Sequence, residues 1–130
     1  MTVKKTYKRE EGATHQKSYA FAIRIVRMVK YLRESRNEFV LSKQVLRSGT
    51  AIGALVWEAE FAQSKADFIN KLKVALKEAN ETIYWLSLLH DTDYIDEEAY
   101  KSIETDGREL VALLVSTINT LSNKHADTEN

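Results

Sequence analysis

Three glutamates in the middle of the chain, Glu58, Glu78 and Glu81, are the residues whose grouping could support acid–base or metal chemistry. A di-metal site inside a four-helix bundle requires Glu-x-x-His motifs on two helices. The histidines are His15, His90 and His125, and they are preceded three positions earlier by Gly12, Ser87 and Ser122. The motif is absent, so we predict no metal site. We expect Glu58 and Glu78 to be hydrogen-bonded or paired with Arg47 or a lysine.

Nucleophilic catalysis and phosphate binding also lack their motifs. No glycine-rich nucleophile elbow surrounds a serine, and His90 has no evident Ser/Asp partner set. Gly49 and Gly53 are not followed by the Gly-Lys-Ser/Thr ending of a phosphate-binding loop. The sequence therefore predicts a protein that is not an enzyme and that binds no cofactor.

A third group of residues is basic and lies early in the chain. Its members are Lys4, Lys5, Lys8, Arg9, Arg24, Arg27, Lys30 and Arg33. These cations could follow the phosphates of RNA or DNA, while Tyr7, Tyr19 and Tyr31 stack on bases. Residues 1–50 carry twelve Lys/Arg and four Asp/Glu, a balance of +8, whereas residues 51–130 carry seven and fifteen, a balance of −8. We therefore favour ion pairing within the bundle for most of these charges, with nucleic-acid binding as the alternative.

Composition limits the class of protein that must position these groups. The chain has 130 residues, enough for one domain, and it contains no proline or cysteine. It therefore has no disulfide framework and no thiolate metal site. The longest apolar runs fall short of a membrane span, and the N-terminal residues lack the apolar core of a secretory signal. We expect a cytoplasmic protein without membrane contact.

Apolar residues recur at helical spacing in four segments, which predicts helices over about 18–36, 42–61, 65–90 and 97–122. Ser42, Ser64 with Asp67, and Asp96 are the expected N-terminal caps. The links are short, so successive helices must run antiparallel. We predict an all-α, up-down-up-down four-helix bundle over residues 15–123, with a polar lead-in over 1–14 and a polar tail over 124–130.

The second helix carries more apolar surface than one core requires. Its core stripe contains Val45, Gly49, Ile52, Val56 and Ala59. Gly49 and Gly53 lie one turn apart and allow another backbone to approach closely. The surplus residues point to self-association, unless one wide core absorbs them. The candidate oligomer interface comprises Leu46, Thr50, Gly53, Ala54, Trp57, Phe61 and Trp85.

The run LSKQVLRSGTAIGALVWEAEFAQSKADFINKLKVALKEANETIYWLSLL resembles the bacterial four-helix-bundle proteins linked to 23S rRNA intervening sequences. The matching motif residues to which we assign structural roles are Arg47, Ser48, Glu58, Ser64, Asp67, Phe68 and Glu78. Ala51 and Leu55 depart from the serine and asparagine that the family often has there, which favours a packing role for this segment.

The resemblance also implies a mode of action. The family that the chain resembles includes relatives of the accessory protein of diversity-generating retroelements. That accessory protein assembles as a pentamer and contacts a reverse transcriptase and nucleic acid. We therefore predict a non-enzymatic, self-assembling interaction or accessory protein, with a homopentamer favoured and a protein partner as one option. The alternative is an RNA- or DNA-binding protein that uses a basic surface of the oligomeric ring.

Overall fold

The computed structural model describes the backbone of residues 12–129 and the side chains of residues 12–123. Four helices account for nearly all of this range, in the order α1 (Ala13–Arg36), α2 (Leu41–Ala59), α3 (Lys65–Asp91) and α4 (Glu97–Glu129). Each helix packs against its neighbours in sequence, and α1 also packs against α4. The predicted four-helix bundle is confirmed.

Side-chain pairs between the helices show that neighbours run antiparallel. Between α1 and α4, Lys17 bonds to Glu109 and Arg24 bonds to Asp106. Between α2 and α3, Arg47 contacts Glu81, whereas Glu58 near the end of α2 contacts Lys71 early in α3. Ser87 of α3 likewise meets Tyr100 at the start of α4.

The core contains most of the predicted stripes, because residues at i, i+3 and i+4 share one face of a helix. The largest core side chains are each at most 2% exposed, and they include Phe21, Ile25, Ile52, Leu86 and Leu110. Met28 and Phe68 are only partly buried and Val26 is 39% exposed, whereas Ile118 near the end of the described core is buried. The core follows the apolar periodicity, and the deviations lie at its edges.

The two glycines of α2 allow α1 to lie close to it. A Cβ atom at Gly49 would come within 2.7 Å of Ile25 Cγ1, and one at Gly53 would come within 3.3 Å of the Ser18 carbonyl oxygen. The close approach expected from the glycine spacing therefore occurs within one chain, between α1 and α2. An interface role for Gly53 would be additional to this contact.

The predicted N-terminal caps are correct for α3 and α4 but not for α2. Ser64 Oγ accepts a hydrogen bond from Asp67 N, and Asp96 Oδ1 accepts one from Ala99 N. At α2 the predicted cap Ser42 is wrong, since its hydroxyl donates to the Glu38 carbonyl oxygen instead. The carboxylate of Glu38 accepts the free backbone N–H groups of this helix, as described below.

No helix in the described part of the chain combines the length and the apolar character that a membrane crossing requires.

Candidate interaction surfaces

A groove of about 460 Å³ runs along the outside of the α1–α2 pair. Its walls include Tyr19, Ala22, Thr50, Gly53, Ala54 and Trp57, and we call it the α1–α2 groove. Trp57 is 43% exposed and Phe61, one turn further along, is 56% exposed. Four of the seven predicted interface residues, Thr50, Gly53, Ala54 and Trp57, therefore lie together on this surface.

The other predicted interface residues have different surroundings. Leu46 is half-buried and packs against the core, and Phe61 lies just beyond the end of α2. Trp85 lies on α3, where its indole N–H donates to Glu81 at 3.0 Å and its ring meets Tyr84 edge to face. Trp85 therefore belongs to the ion-pair cluster between α2 and α3.

This cluster is centred on Arg47, and we call it the Arg47 cluster. The guanidinium donates to Glu78 Oε1 at 3.3 Å and also to Glu81 Oε2. The hydrogen bond from Trp85 is the main cause that holds the pKa of Glu81 below its usual value, and the positive charges of Arg47 and Lys77 act in the same direction against desolvation. The cluster ties α2 to α3 at the surface of the bundle.

Beneath the Arg47 cluster, two buried hydroxyls connect the same helices. Thr82 donates to Ser48 at 2.9 Å, or to the Glu78 carbonyl oxygen at 2.8 Å. Ser48 can donate in turn to the Gln44 carbonyl oxygen. Small hydroxyl residues thus allow polar groups in the core to be satisfied without a water-filled cavity.

The remaining residues of the family motif also make contacts within the chain. Glu58 lies 3.6 Å from Lys71 Nζ. Asp67 completes the cap of α3 by accepting from Gln63 N, and Phe68 is half-buried at the edge of the core. The expected pairing of Glu58 and Glu78 with basic side chains is therefore present.

The basic side chains of α1 divide into engaged and unengaged groups. Arg24 donates to Asp106 at 2.7 Å and to both oxygens of Ser102, while Arg33 donates to Ser42 Oγ. Among residues 12–123, no hydrogen bond or ion pair is found for Arg27 or Lys30. The other predicted nucleic-acid contacts, Lys4, Lys5, Lys8 and Arg9, lie outside the described residues.

Of the two unengaged cations, Arg27 lines a second groove, between α1 and α4. It has a volume of about 460 Å³, and its walls include Arg24, Arg27, Met28, Tyr31, Ile95 and Asp96. The Tyr31 side chain is 45% exposed. The groove thus offers one free guanidinium and one aromatic ring, but Asp96 reduces its positive charge.

Two polar features of the structure were not predicted. Glu38 is only 7% exposed, and its carboxylate accepts from Val40 N, Leu41 N and Ser42 N. His15 Nε2 lies 3.7 Å from Glu60 Oε1, with both side chains buried. A glutamate shortly before an apolar periodic run could have indicated the first feature, whereas the second joins residues that are distant in sequence.

Within residues 12–123, no group of three or more His, Cys, Asp or Glu side chains could hold a metal ion.

Residues 10–116 match the profile of a known family, described as the 23S rRNA-intervening sequence protein. The chain belongs to this family. The match covers most of the bundle, including the Arg47 cluster and the α1–α2 groove.

A solved structure supports the same assignment. It is the crystal structure of a protein of unknown function from the S23 ribosomal protein family of Bacteroides thetaiotaomicron VPI-5482. The two chains are 58% identical, with a TM-score of 0.81, over 82% of this family member and 98% of the other chain. A search of curated proteins gives no match.

Proposed function

We propose that this family member is a non-enzymatic, self-assembling interaction module of the bacterial cytoplasm. The observation that carries the proposal is the α1–α2 groove, where Trp57 and Ala54 are exposed although both lie on a helix that already contributes a complete stripe to the core. Large aromatic side chains stabilise proteins most when water is removed from them. A second copy of the chain would cover this surface.

Further exposed apolar side chains lie one helical turn from residues of the groove, which supports association. Ile23 and Val26 of α1 and Phe61 after α2 are also more than a third exposed, so the apolar area extends beyond the groove itself. Contiguous apolar patches on soluble proteins commonly mark interaction sites. We favour a homopentamer because the family resemblance includes pentameric accessory proteins. A ring with five members requires two different surfaces on each copy to meet.

Light scattering of the purified chain tests self-assembly. We expect a mass near 75 kDa, five times the 14.9 kDa of one chain. Ala54→Glu should dissociate the assembly, because it places a charge in the groove without removing a core side chain. Ala112→Glu is the matched control, since Ala112 is an exposed alanine on α4.

The outcomes distinguish self-association itself from the number of chains in the assembly. A mass of 14.9 kDa for the wild type at micromolar concentration would contradict self-assembly. A dimer or tetramer would support self-assembly and contradict the pentamer. If Ala54→Glu retained the wild-type mass, the interface would not include the α1–α2 groove.

The second candidate function is binding to RNA or DNA, and the observation that favours it is the unengaged state of Arg27 and Lys30. Two cations without partners on one helix leave charge available for phosphates. One copy would bind weakly, whereas repetition of the site around a ring would add affinity through multivalency. The engagement of Arg24 and Arg33 within the chain reduces the set of cations that serve this function.

A further inference from the structure

The turn between α1 and α2 holds two large apolar side chains in solvent. Phe39 is 57% exposed and Val40 is 74% exposed, and we call them the tip pair. They are adjacent in sequence and lie at the end of the bundle, beyond the last turn of α1. Neither residue contributes to the core, so their apolar character is not explained by folding.

The backbone beneath the tip pair is fixed by many hydrogen bonds. Asn37 adopts the left-handed conformation, with φ 53°, and the N–H of the next residue, Glu38, donates to the Leu32 carbonyl oxygen at 2.9 Å. The carboxylate of Glu38 then accepts the N–H groups of Val40, Leu41 and Ser42 at 3.2, 2.8 and 2.7 Å. A turn fixed in this way loses little conformational entropy when its side chains bind a partner.

The end of the bundle that carries the tip pair is acidic. Arg36 donates to the carbonyl oxygens of Asp93 and Tyr94, which brings the α3–α4 turn beside the α1–α2 turn. Residues 33–43 and 90–98 together contain three Lys/Arg and seven Asp/Glu. The acidic residues outside α1 and its turn are Asp91, Asp93, Asp96, Glu97 and Glu98. Asp91 and Glu97 contact His90, and Glu97 also pairs with Lys101, so Asp93, Asp96 and Glu98 are the carboxylates left for a basic partner.

We propose that the tip pair and the acidic residues around it form a docking site for a basic polypeptide segment with an apolar face. Phe39 and Val40 would enter the apolar face, and the carboxylates of the α3–α4 turn would attract its lysines and arginines. This inference rests on the proposed role as an interaction module, since it names the class of partner and the surface that receives it.

The charge of this end argues against other occupants. Nucleic acids and anionic membranes are both negative, and like charges at close range oppose binding. The tip pair also lies about 25 Å from Trp57, because α2 rises 1.5 Å per residue between them. A partner at the tip and a second copy in the α1–α2 groove could therefore bind at the same time.

The test uses the complete chain and a labelled amphipathic peptide of leucine and lysine, with the leucine and glutamate peptide of the same pattern as a charge control. Fluorescence anisotropy gives the affinity at low and at physiological salt. We expect the basic peptide to bind and the acidic peptide not to bind. The double substitution Phe39→Ser with Val40→Ser should weaken the basic peptide about tenfold or more, given the apolar area that two side chains bury.

Two further variants separate the apolar and the electrostatic contributions. Asp93→Asn with Glu98→Gln should weaken the basic peptide at low salt and have less effect at high salt, since salt screens exposed charges. Tyr84→Ser is the matched control, because Tyr84 is 58% exposed on α3 and should not affect the affinity. Circular dichroism of each variant should show unchanged helix content, because all five side chains are exposed.

The proposal is overturned if the wild type does not bind the basic peptide, if the tip variant binds it as well as the wild type does, or if the acidic peptide binds equally. It is also overturned if single-stranded RNA or vesicles of anionic lipid bind through Phe39 and Val40 instead. Light scattering on the same samples keeps the two proposals distinct. An intact assembly that does not bind the peptide would contradict only the docking proposal. A monomer that binds the peptide would contradict only self-assembly.

Discussion

At the scale of single residues, the Arg47 cluster shows what a motif predicts and what it omits. Arg47, Glu78 and Glu58 were expected to form ion pairs, because acidic and basic residues recur on facing helices, and they do. The link from Trp85 to Glu81 was not expected, since only the apolar character of tryptophan was considered, and the interface role of Trp85 stays a prediction. The single polar group of tryptophan, its indole N–H, bonds to whichever acceptor lies beside it, and the sequence alone does not locate that acceptor.

Glu81→Gln should make the protein less stable at neutral pH. The pKa of Glu81 is lower in the folded chain than its usual value of 4.5, chiefly through the Trp85 hydrogen bond. Its charged form therefore stabilises the fold above pH 4.5, and this contribution is lost as pH falls through the lowered pKa. We expect a cost of about 1 kcal/mol at pH 7.

Urea unfolding at several pH values measures this effect. The difference between wild type and Glu81→Gln should shrink as pH falls from the usual glutamate pKa through the lowered pKa of the folded chain. Glu34→Gln, at an exposed position, is the control and should show little difference at any pH. A constant difference down to the lowest pH would show that the charge of Glu81 does not contribute.

At the scale of helices, the apolar period located the elements but not all of their ends. It predicted α3 and α4 to start at Lys65 and Glu97, where Ser64 and Asp96 are recognisable caps. It placed the start of α1 near residue 18, whereas the helix begins at Ala13, because Thr14, Gln16 and Lys17 show no apolar repeat. Polar turns at the ends of helices leave no periodic signal.

Helix packing also explains why two glycines are accepted inside α2. Gly49→Ala should destabilise the chain, because its Cβ would come within 2.7 and 2.9 Å of the fully buried Ile25. Overpacking costs about 1–3 kcal/mol, against a gain in helix propensity of about 1 kcal/mol. We expect the melting temperature to fall by several degrees.

Gly107→Ala is the matched control for this prediction. The same atom at Gly107 would lie 3.5 Å from Ile83 and Phe21, which is ordinary contact, so the propensity gain should raise the melting temperature. Both variants are compared with wild type at equal concentration, because association changes the apparent stability. Equal shifts in one direction would mean that propensity, and not the α1–α2 distance, decides the outcome.

At the scale of the whole molecule, the two halves of opposite charge are partly neutralised within the bundle. Lys17 and Arg24 of α1 pair with Glu109 and Asp106 of α4, as the charge distribution predicted. Composition could predict this balance, but it could not separate Arg27 and Lys30 from their paired neighbours. That separation depends on which side of α1 faces α4, and it defines the residues on which nucleic-acid binding must be tested.

Arg27→Gln with Lys30→Gln should weaken any binding of nucleic acid, because these cations are the ones on α1 that are free to neutralise phosphates. Retention of a structured RNA and a duplex DNA on filters across a salt series measures it. We expect wild-type binding to fall steeply with salt and to show little base preference. In the variant, the salt slope should fall by about one unit for each phosphate contact removed.

Lys73→Gln with Lys77→Gln, at exposed positions on α3, is the control and should leave binding unchanged. Absence of retention by the wild type at low salt would contradict the nucleic-acid function and leave the interaction module. Binding that survives Arg27→Gln with Lys30→Gln would exclude these two cations and move the test to Lys4, Lys5, Lys8 and Arg9.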